Sequence, residues 1–332
     1  MNSTVSISAM FKFHFGSRIV CTDGEEGVLT SLGFDPTTRQ ATFIGVRQGR
    51  LFGRTSYLSF HTVTGANRDG VMLNIPHADL EAAPKATPGA VFFDSKSTVE
   101  VEGVSGRGNL TLVAVQPQSG SLAYLVVHRL RSQDTMLRQE FVKRLEQERI
   151  LVAIPEATLH ALPPYRTDND LQQEVENVLF DFTPLHVDFK GMDIRVLDSV
   201  LYLTGNISSS LRADVAQDQV SAIPGLLEIK NELIADDELA ADLAAAFGKD
   251  ARTHDLPIGI YPKLGVVRLG GAVHTAQQKA VAEEIARSFP GVRGVSNTLV
   301  VDESADLLRV MAPAEGGEAE DLIPGRYIRH TK

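Results

Sequence analysis

The sequence predicts a multidomain α+β protein in which two small β-barrels are followed by two αβ units. Two observations predict this fold class. The carboxyl-terminal half repeats itself at a fixed offset of 66 residues, and the amino-terminal half consists of short strands and turns with a weaker duplication. Self-similarity at a fixed period is typical of duplicated supersecondary units. The length of 332 residues favours two or more domains.

Short strands are predicted along residues 11–84. Residues 11–15 alternate apolar and polar side chains with a period of two, which is typical of a half-buried strand. Residues 28–34 lead into a turn at Asp35-Pro36, where the proline presets φ, and residues 71–75 end at Pro76, which cannot donate a ladder hydrogen bond. Several short strands at this spacing favour a small barrel or sandwich.

A weaker copy of this pattern follows. Residues 110–115 repeat the strand before Asp35-Pro36 at an offset of 81, and residues 150–154 repeat residues 71–75 at an offset of 79. Insertions in loops produce such a changing offset. Residues 132–149 are charged and are predicted to be helical, because Leu137, Phe141 and Leu145 form one apolar stripe at helical spacing.

The amino-terminal half resembles the PRC-barrel family. The resemblance rests on the strand–turn–strand around Asp35-Pro36, on Leu51-Phe52-Gly53-Arg54, and on the strand that ends at Ile75-Pro76. It implies one β-barrel at residues 1–84 and a second at residues 85–165.

The prolines at residues 162–165 mark the boundary to the repeated half, since consecutive prolines continue neither strand nor helix. Asp168 or Asp170 is predicted to cap the helix that follows. The apolar faces of this helix and its counterpart are Leu171, Val175 and Leu179 in the first copy, and Leu239, Leu243 and Phe247 in the second.

Both copies then carry the same motif positions, and this pattern resembles the BON domain family. The positions, each read as structural or ligand-binding, are Gly205, Pro224, Gly225 and Asn231 in the first copy and Gly271, Pro290, Gly291 and Asn297 in the second. The resemblance implies BON domains at residues 166–236 and 237–302. It also implies binding to a phospholipid surface, a protein, or a cation such as potassium.

Charge is unevenly distributed. Residues 1–165 carry 16 basic and 15 acidic side chains, whereas residues 166–332 carry 16 and 27. The stretch between Pro36 and Arg68 contains five arginines and no acidic residue. Its arginines are the predicted anion or partner contacts: Arg39, Arg47, Arg50, Arg54 and Arg68. Nucleic-acid binders normally show a dominant basic face, so the acidic half argues against such a partner.

No arrangement of residues points to catalysis. The histidines form no HExxH motif, and one cysteine gives no CxxC pair. His14 and Cys21 are interpreted as barrel residues, and the glycine-rich residues 103–108 as a hairpin loop. We therefore expect no catalytic residue, no cofactor, no metal site and no enzymatic activity.

The last residues, 303–332, have the composition of a flexible acidic linker that ends in a tail. Four apolar side chains near the end are candidates for docking on a neighbour: Leu322, Ile323, Tyr327 and Ile328. The alternative is a frayed terminus.

The sequence thus predicts a non-enzymatic scaffold or binding protein, which associates with itself, as a homo-oligomer or filament, or with another protein. Two alternatives stay open: a peripheral binder of anionic phospholipid surfaces that uses the arginines, and a ribosome- or RNA-linked PRC-barrel factor. The chain has no secretory signal and no run of about 18 apolar residues that could span a bilayer. A cytoplasmic location is expected, with peripheral contact at the inner membrane face as a further option.

Overall fold

The computed structural model describes residues 6–48, 53–85, 89–103, 106–130 and 133–303. The chain divides into two compact units. The first comprises the residues up to Thr204 together with Asp214–Glu232, and the second comprises Gly205–Ala213 together with the residues from Leu233 onward. The predicted α+β class is confirmed, since strands predominate and six α-helices lie among the described residues. No helix in those residues is long and apolar enough to cross a membrane.

The amino-terminal elements are short strands and two short helices. In chain order they are β1 (Phe11–His14), β2 (Arg18–Cys21), β3 (Gly24–Phe34), β4 (Ala41–Arg47), β5 (Thr55–Ser59), β6 (Val63–Asn67), β7 (Gly70–Leu73), α1 (His77–Ala82), β8 (Val91–Phe93), β9 (Thr98–Val101), β10 (Arg107–Val115), β11 (Leu122–His128), β12 (Thr135–Arg138), β13 (Val142–Glu146), β14 (Arg149–Val152) and α2 (Glu156–Ala161).

These strands form two sheets of seven strands with the same topology. The main strand orders are β5-β4-β3-β2-β7-β6 and β12-β11-β10-β9-β14-β13. In both, the only parallel pair on this path joins corresponding strands, β2 with β7 and β9 with β14. The weak sequence duplication is therefore a structural duplication. The sequence predicted barrels, but neither sheet closes into a ring among the described residues.

The seventh strand of each sheet comes from the other copy. Strand β8, which precedes the second copy, pairs with β3 of the first sheet, and β1, which precedes the first copy, pairs with β10 of the second sheet. The registers correspond, because Phe34 lies opposite Val91 and Val115 lies opposite Phe11. The two copies are thus joined by a reciprocal exchange of strands.

This exchange gives the two sheets one shared hydrophobic core, in which Phe13 and Phe93 are both fully buried or nearly so. The turn between β3 and β4 and the turn between β10 and β11 also form hydrogen bonds with each other in both directions. The amide of Ala41 donates to Gly120 O at 2.8 Å, and the amide of Leu122 donates to Arg39 O at 3.2 Å. Because the same contacts occur in both directions, the sheets are related by an approximate twofold axis, which we call the pseudo-twofold.

The helix predicted within residues 132–149 is wrong. Strands β12, β13 and β14 occupy most of this segment, and only a single 3-10 turn, Gln139–Phe141, interrupts them. Leu137 and Leu145 are buried in the shared core. A spacing of four residues is even, so it places side chains on one side of a strand as well as on one face of a helix.

The repeated half forms two αβ copies with identical topology. Their elements are α3 (Asp168–Asp181), β15 (Met192–Leu197), β16 (Val200–Ile207), α4 (Ser210–Ser221), β17 (Glu228–Asn231) and β18 (Ile234–Ala235), followed by α5 (Asp236–Lys249), β19 (Ile258–Lys263), β20 (Val266–Val273), α6 (Ala276–Ser288), β21 (Gly294–Asn297) and β22 (Val300–Val301). The sheet order β15-β16-β17, with β18 on β16, recurs as β19-β20-β21, with β22 on β20.

The registers repeat at the 66-residue offset seen in the sequence. Val200 lies opposite Glu228, and Val266 lies opposite Gly294. In both copies the central strand changes partner near a glycine with positive φ, Gly205 (φ 93°) or Gly271 (φ 108°). The residues before the glycine pair with the third strand, and those after it pair with the short fourth strand. A left-handed residue bends the strand there at little cost for glycine.

The second unit includes the end of β16 because Asn206 packs into the second αβ copy. Its amide nitrogen donates to Gly291 O at 3.0 Å, and a Cβ added at Gly265 would lie 2.5 Å from its side-chain oxygen. Ile234 fills the space that a side chain at Gly291 would need.

We predict that Phe13→Ala and Phe93→Ala each lower the free energy of unfolding by about 3–5 kcal/mol, because each removes an aromatic ring from the same close-packed core. Urea denaturation should show one transition shifted by either variant. Phe180→Ala is the control, since Phe180 is 56% exposed and loses only its ring contacts with His186 and Phe189, so stability should change by about 1.5 kcal/mol or less. Two separate transitions, each moved by only one variant, would contradict the shared core.

Candidate functional site

The αβ copies cover their sheets with helices on one side only. In the second copy, Val267 and Leu269 of β20 pack with Leu239, Leu243 and Ala282 of the helices. Strand residues of the opposite parity lie on the other side, which we call the open face. The first open face includes Arg195, Val200, Tyr202, Glu228 and Lys230, and the second includes Tyr261, Lys263, Val266, Arg268, Gly294 and Ser296.

Residues 6–8 and the β6–β7 hairpin cover the first open face. The Ser6 hydroxyl donates to Glu228 Oε1 and Oε2 at 2.5 and 2.6 Å, and the Ser8 amide donates to Glu228 Oε2 at 2.7 Å. Arg195 Nη2 lies 2.6 Å from Asp69 Oδ2. Val200 is 0% exposed. This face is therefore an intramolecular interface.

Glu228 is strongly held in its charged form. Burial would raise its pKa, but hydrogen bonds from Lys230, Ser6 and Ser8 together outweigh burial and lower the pKa to about 2. Hydrogen bonds to a carboxylate stabilise the charged form. The carboxylate of Glu228, on the αβ sheet, thus binds the segment that contains Ser6 and Ser8.

A tight turn at Asp198 and Ser199 carries the second part of this interface. Both residues have positive φ, 50° and 62°. Their amides each donate to the buried Asp168 carboxylate at 2.9 Å. The sequence predicts Asp168 or Asp170 as the cap of α3, but the cap is Thr167, whose hydroxyl accepts from the Asp170 amide. The carboxylate of Asp168 holds the β15–β16 turn instead.

The Asp198 side chain faces the β-sheets and is 1% exposed. Its Oδ1 lies 2.5 Å from His14 Nε2, and its Oδ2 accepts from the Arg68 amide at 3.1 Å. Lys12 is buried nearby, and burial lowers its pKa, although the charges of Asp198, Glu228 and Asp168 oppose that shift. Buried charges need such partners. We call this cluster, Lys12, His14, Arg68, Asp168 and Asp198, the polar junction.

The second αβ copy repeats the turn but not the polar junction. Asp236, the first residue of α5, accepts from the amides of Leu264 and Gly265 at 2.6 and 3.0 Å. Leu264 stands where the first copy has Asp198, so this turn lacks a carboxylate for a docking partner. The framework of the turn is therefore duplicated, whereas the charged contact belongs to the first copy alone.

The second open face is exposed. Val266, the counterpart of the buried Val200, is 48% exposed. The Arg268 guanidinium lies over the Tyr261 ring, 4.5 Å from its centroid. The ring lies close to Gly259 and Gly270, because a Cβ at either position would be within 2.6 or 3.2 Å of a Tyr261 atom. In the described residues, Arg268 has no carboxylate within ion-pair distance. The face presents a cation on a flat aromatic support.

Two of the predicted arginines make intramolecular contacts. Arg39 donates to Lys143 O at 3.0 Å, and Arg68 Nη1 lies 3.2 Å from Asp168 Oδ2. Arg47, at the end of β4, and Arg54, just before β5, are exposed at one end of this strand pair. Arg50 and the tail residues Leu322, Ile323, Tyr327 and Ile328 lie outside the described residues.

The residues that the sequence predicts as BON motif positions make contacts within the fold. Gly205, Gly225, Gly271 and Gly291 all have positive φ. Pro224 O accepts from Arg166 Nη1 at 3.2 Å, and Asn297 Nδ2 donates to Lys279 O at 2.9 Å. Pro290-Gly291 forms the corresponding turn before β21, and Asn231 ends β17 as Asn297 ends β21. None of these contacts requires a ligand.

No cluster of three or more potential metal ligands lies in the described part of the chain. A shallow cleft of about 380 Å³ lies beside residues 100–107 and includes Glu100 and Glu102. Both acids are already paired, Glu100 with Arg149 at 2.6 Å and Glu102 with Lys143 at 2.6 Å. The acidic side chains of the cleft are therefore neutralised by neighbouring basic side chains.

Residues 235–303 match the family model described as BON domain. This confirms the resemblance for the second αβ copy. The same assignment for the first copy, and the PRC-barrel resemblance, remain predictions from the sequence. No curated protein sequence matches the chain.

Two solved structures of one protein are similar over part of the chain. One, from studies of CdsD, a structural protein of the type III secretion system of Chlamydia trachomatis, is 18% identical, with a TM-score of 0.33. The match covers 40% of this chain and 61% of that one. The other, the C-terminal domain of CdsD, is 17% identical with a TM-score of 0.35, over 41% of this chain and 68% of that one.

We predict that Asp198→Asn lowers the free energy of unfolding of the first unit by about 3–5 kcal/mol, because it removes a buried negative charge that compensates the buried Lys12. Asn keeps the left-handed turn accessible. The control is Asp134→Asn, which alters an exposed pair with His128 at the same 2.5 Å distance and should cost about 1 kcal/mol or less. Equal effects of both variants on urea denaturation would refute the role of burial.

A pH titration should expose the role of Glu228. Its pKa is lowered in the folded protein from 4.5 to about 2, so its charged form stabilises the fold above about pH 5. The stabilisation is then lost as the pH falls through the folded pKa. The stability difference between the parent and Glu228→Gln should be constant near neutral pH and shrink between pH 4.5 and 2. A difference that does not change with pH would contradict this assignment.

Proposed function

We propose that this protein is a non-enzymatic scaffold that associates with protein through the second open face. The observation that carries the proposal is the contrast between equivalent positions, Val200 at 0% and Val266 at 48% exposure. The face is an interface in the first copy, and its duplicate is available for a partner. Exposed apolar and aromatic groups with an arginine are typical of interface centres.

The composition of the face supports a protein partner. It combines Tyr261, Val266 and Arg268 with the small residues Gly294 and Ser296, and no acidic residue lies on it. Tyr and Arg are enriched among residues that dominate binding energy. A BON match at residues 235–303 is compatible with a binding role, and it identifies no partner.

The lipid alternative has less support. Of the five arginines proposed as a membrane patch, Arg39 and Arg68 are already engaged in intramolecular contacts. Arg47 and Arg54 remain exposed, and two basic residues contribute only about 2 kcal/mol near an anionic surface. We therefore propose association with protein, including other copies of this chain.

The proposal predicts reversible association. Light scattering coupled to size separation should give a mass that rises above that of the monomer as concentration increases from low to high micromolar. Added salt should shift the equilibrium, because the face carries an unpaired cation. A monomer at every concentration and salt, with no retained partner on an affinity column, would refute the scaffold role.

A further inference from the structure

The pseudo-twofold duplicates the hairpin that covers the first open face. Hairpin β6–β7 carries Asp69 at its tip, and β13–β14 is its counterpart at an offset of 79. The strand-end registers correspond, since Asn67 lies opposite Gly70 and Glu146 lies opposite Arg149. Glu148 thus occupies the position that corresponds to Asp69.

The two acids differ in their partners. Asp69 Oδ2 lies 2.6 Å from Arg195 of the first open face. Glu148 is held by its backbone, because its carbonyl accepts from the Thr98 amide at 3.0 Å and its amide donates to Phe92 O at 3.3 Å. Its side chain is exposed and has no cation within ion-pair distance among the described residues. The second hairpin presents an acid with no partner.

The two open faces each carry one arginine and one tyrosine, but at exchanged positions. By the 66-residue offset, Arg195 and Tyr202 of the first face correspond to Tyr261 and Arg268 of the second, so arginine and tyrosine exchange strands while both remain on the face. The second face therefore retains the arginine that the first face uses to bind a hairpin acid.

We propose that the β13–β14 hairpin of one copy docks on the second open face of another copy, with Glu148 against Arg268. This contact repeats between molecules the pairing of Asp69 with Arg195 within one molecule. The proposal rests on the scaffold function and names its partner, a second copy of this chain. The two surfaces are different, so the association is heterologous and produces rings or open chains of copies.

Charge-reversal variants test the pairing, with the dissociation constant of self-association measured by sedimentation equilibrium. Arg268→Glu and Glu148→Arg should each raise that constant at least about tenfold, because each places like charges in the interface. The double variant Arg268→Glu/Glu148→Arg should return it to within about threefold of the parent, since the charges are again complementary.

Lys249→Glu is the matched control. It makes the same charge change at the end of α5, on the helical side of the same αβ copy, and should leave the constant unchanged. Circular dichroism and thermal midpoints establish that each variant is folded. If Arg268→Glu is unfolded, Glu148→Arg on the exposed hairpin still tests the contact.

The outcomes separate the two proposals. Loss in both single variants with recovery in the double variant supports the docking contact. Association that neither single variant weakens, or that the double variant fails to restore, overturns the contact and leaves the scaffold role standing. A parent protein that stays monomeric throughout overturns self-docking, and the scaffold role then depends on a different protein partner.

Discussion

A sheet with helices on one side only must either leave its other side in water or cover it with something else, and this constraint shapes the repeated half of the chain. The first αβ copy covers its open face with residues 6–8 and a β-hairpin, and Val200 is fully buried there. Burial of apolar surface stabilises this arrangement. The second copy keeps the same framework, but Val266 remains half exposed.

The strand exchange places residues of the β-sheets where they contact the first αβ copy. Strand β1 must cross to the second sheet, so it brings Lys12 and His14 to the polar junction and fixes them beside Asp198. The exchange also relates the two sheets by the pseudo-twofold. The same β-domain consequently offers two equivalent hairpins, of which one is engaged within the chain at Asp69 and the other presents Glu148.

Much of the fold could be predicted from the sequence because the strands of the αβ duplication keep a constant 66-residue offset, which survives as an identical strand register. The strand exchange could not, since alternation in residues 11–15 indicates a strand but not which distant strand it pairs with. The helix predicted within residues 132–149 was wrong because the spacing of Leu137 and Leu145 fits a strand as well as a helix. The composition of residues 36–68 predicted Arg68 as a candidate contact residue, but not its ion pair with Asp168. Nothing in the composition predicted that Asp198, Tyr261 and Arg268 would lie at the interface and on the open face. Comparing the copies position by position would have revealed the exchange of Arg195 and Tyr202 for Tyr261 and Arg268.

The most direct test is the solvent accessibility of valine methyl groups in dilute and concentrated protein, measured by NMR with a soluble paramagnetic probe. We expect the methyl groups of Val200 to be protected at every concentration, whereas those of Val266 should relax strongly in dilute protein and become as protected as those of Val200 when copies associate. If the protein associates while the Val266 methyl groups stay as accessible as in the monomer, the second open face is not the interface.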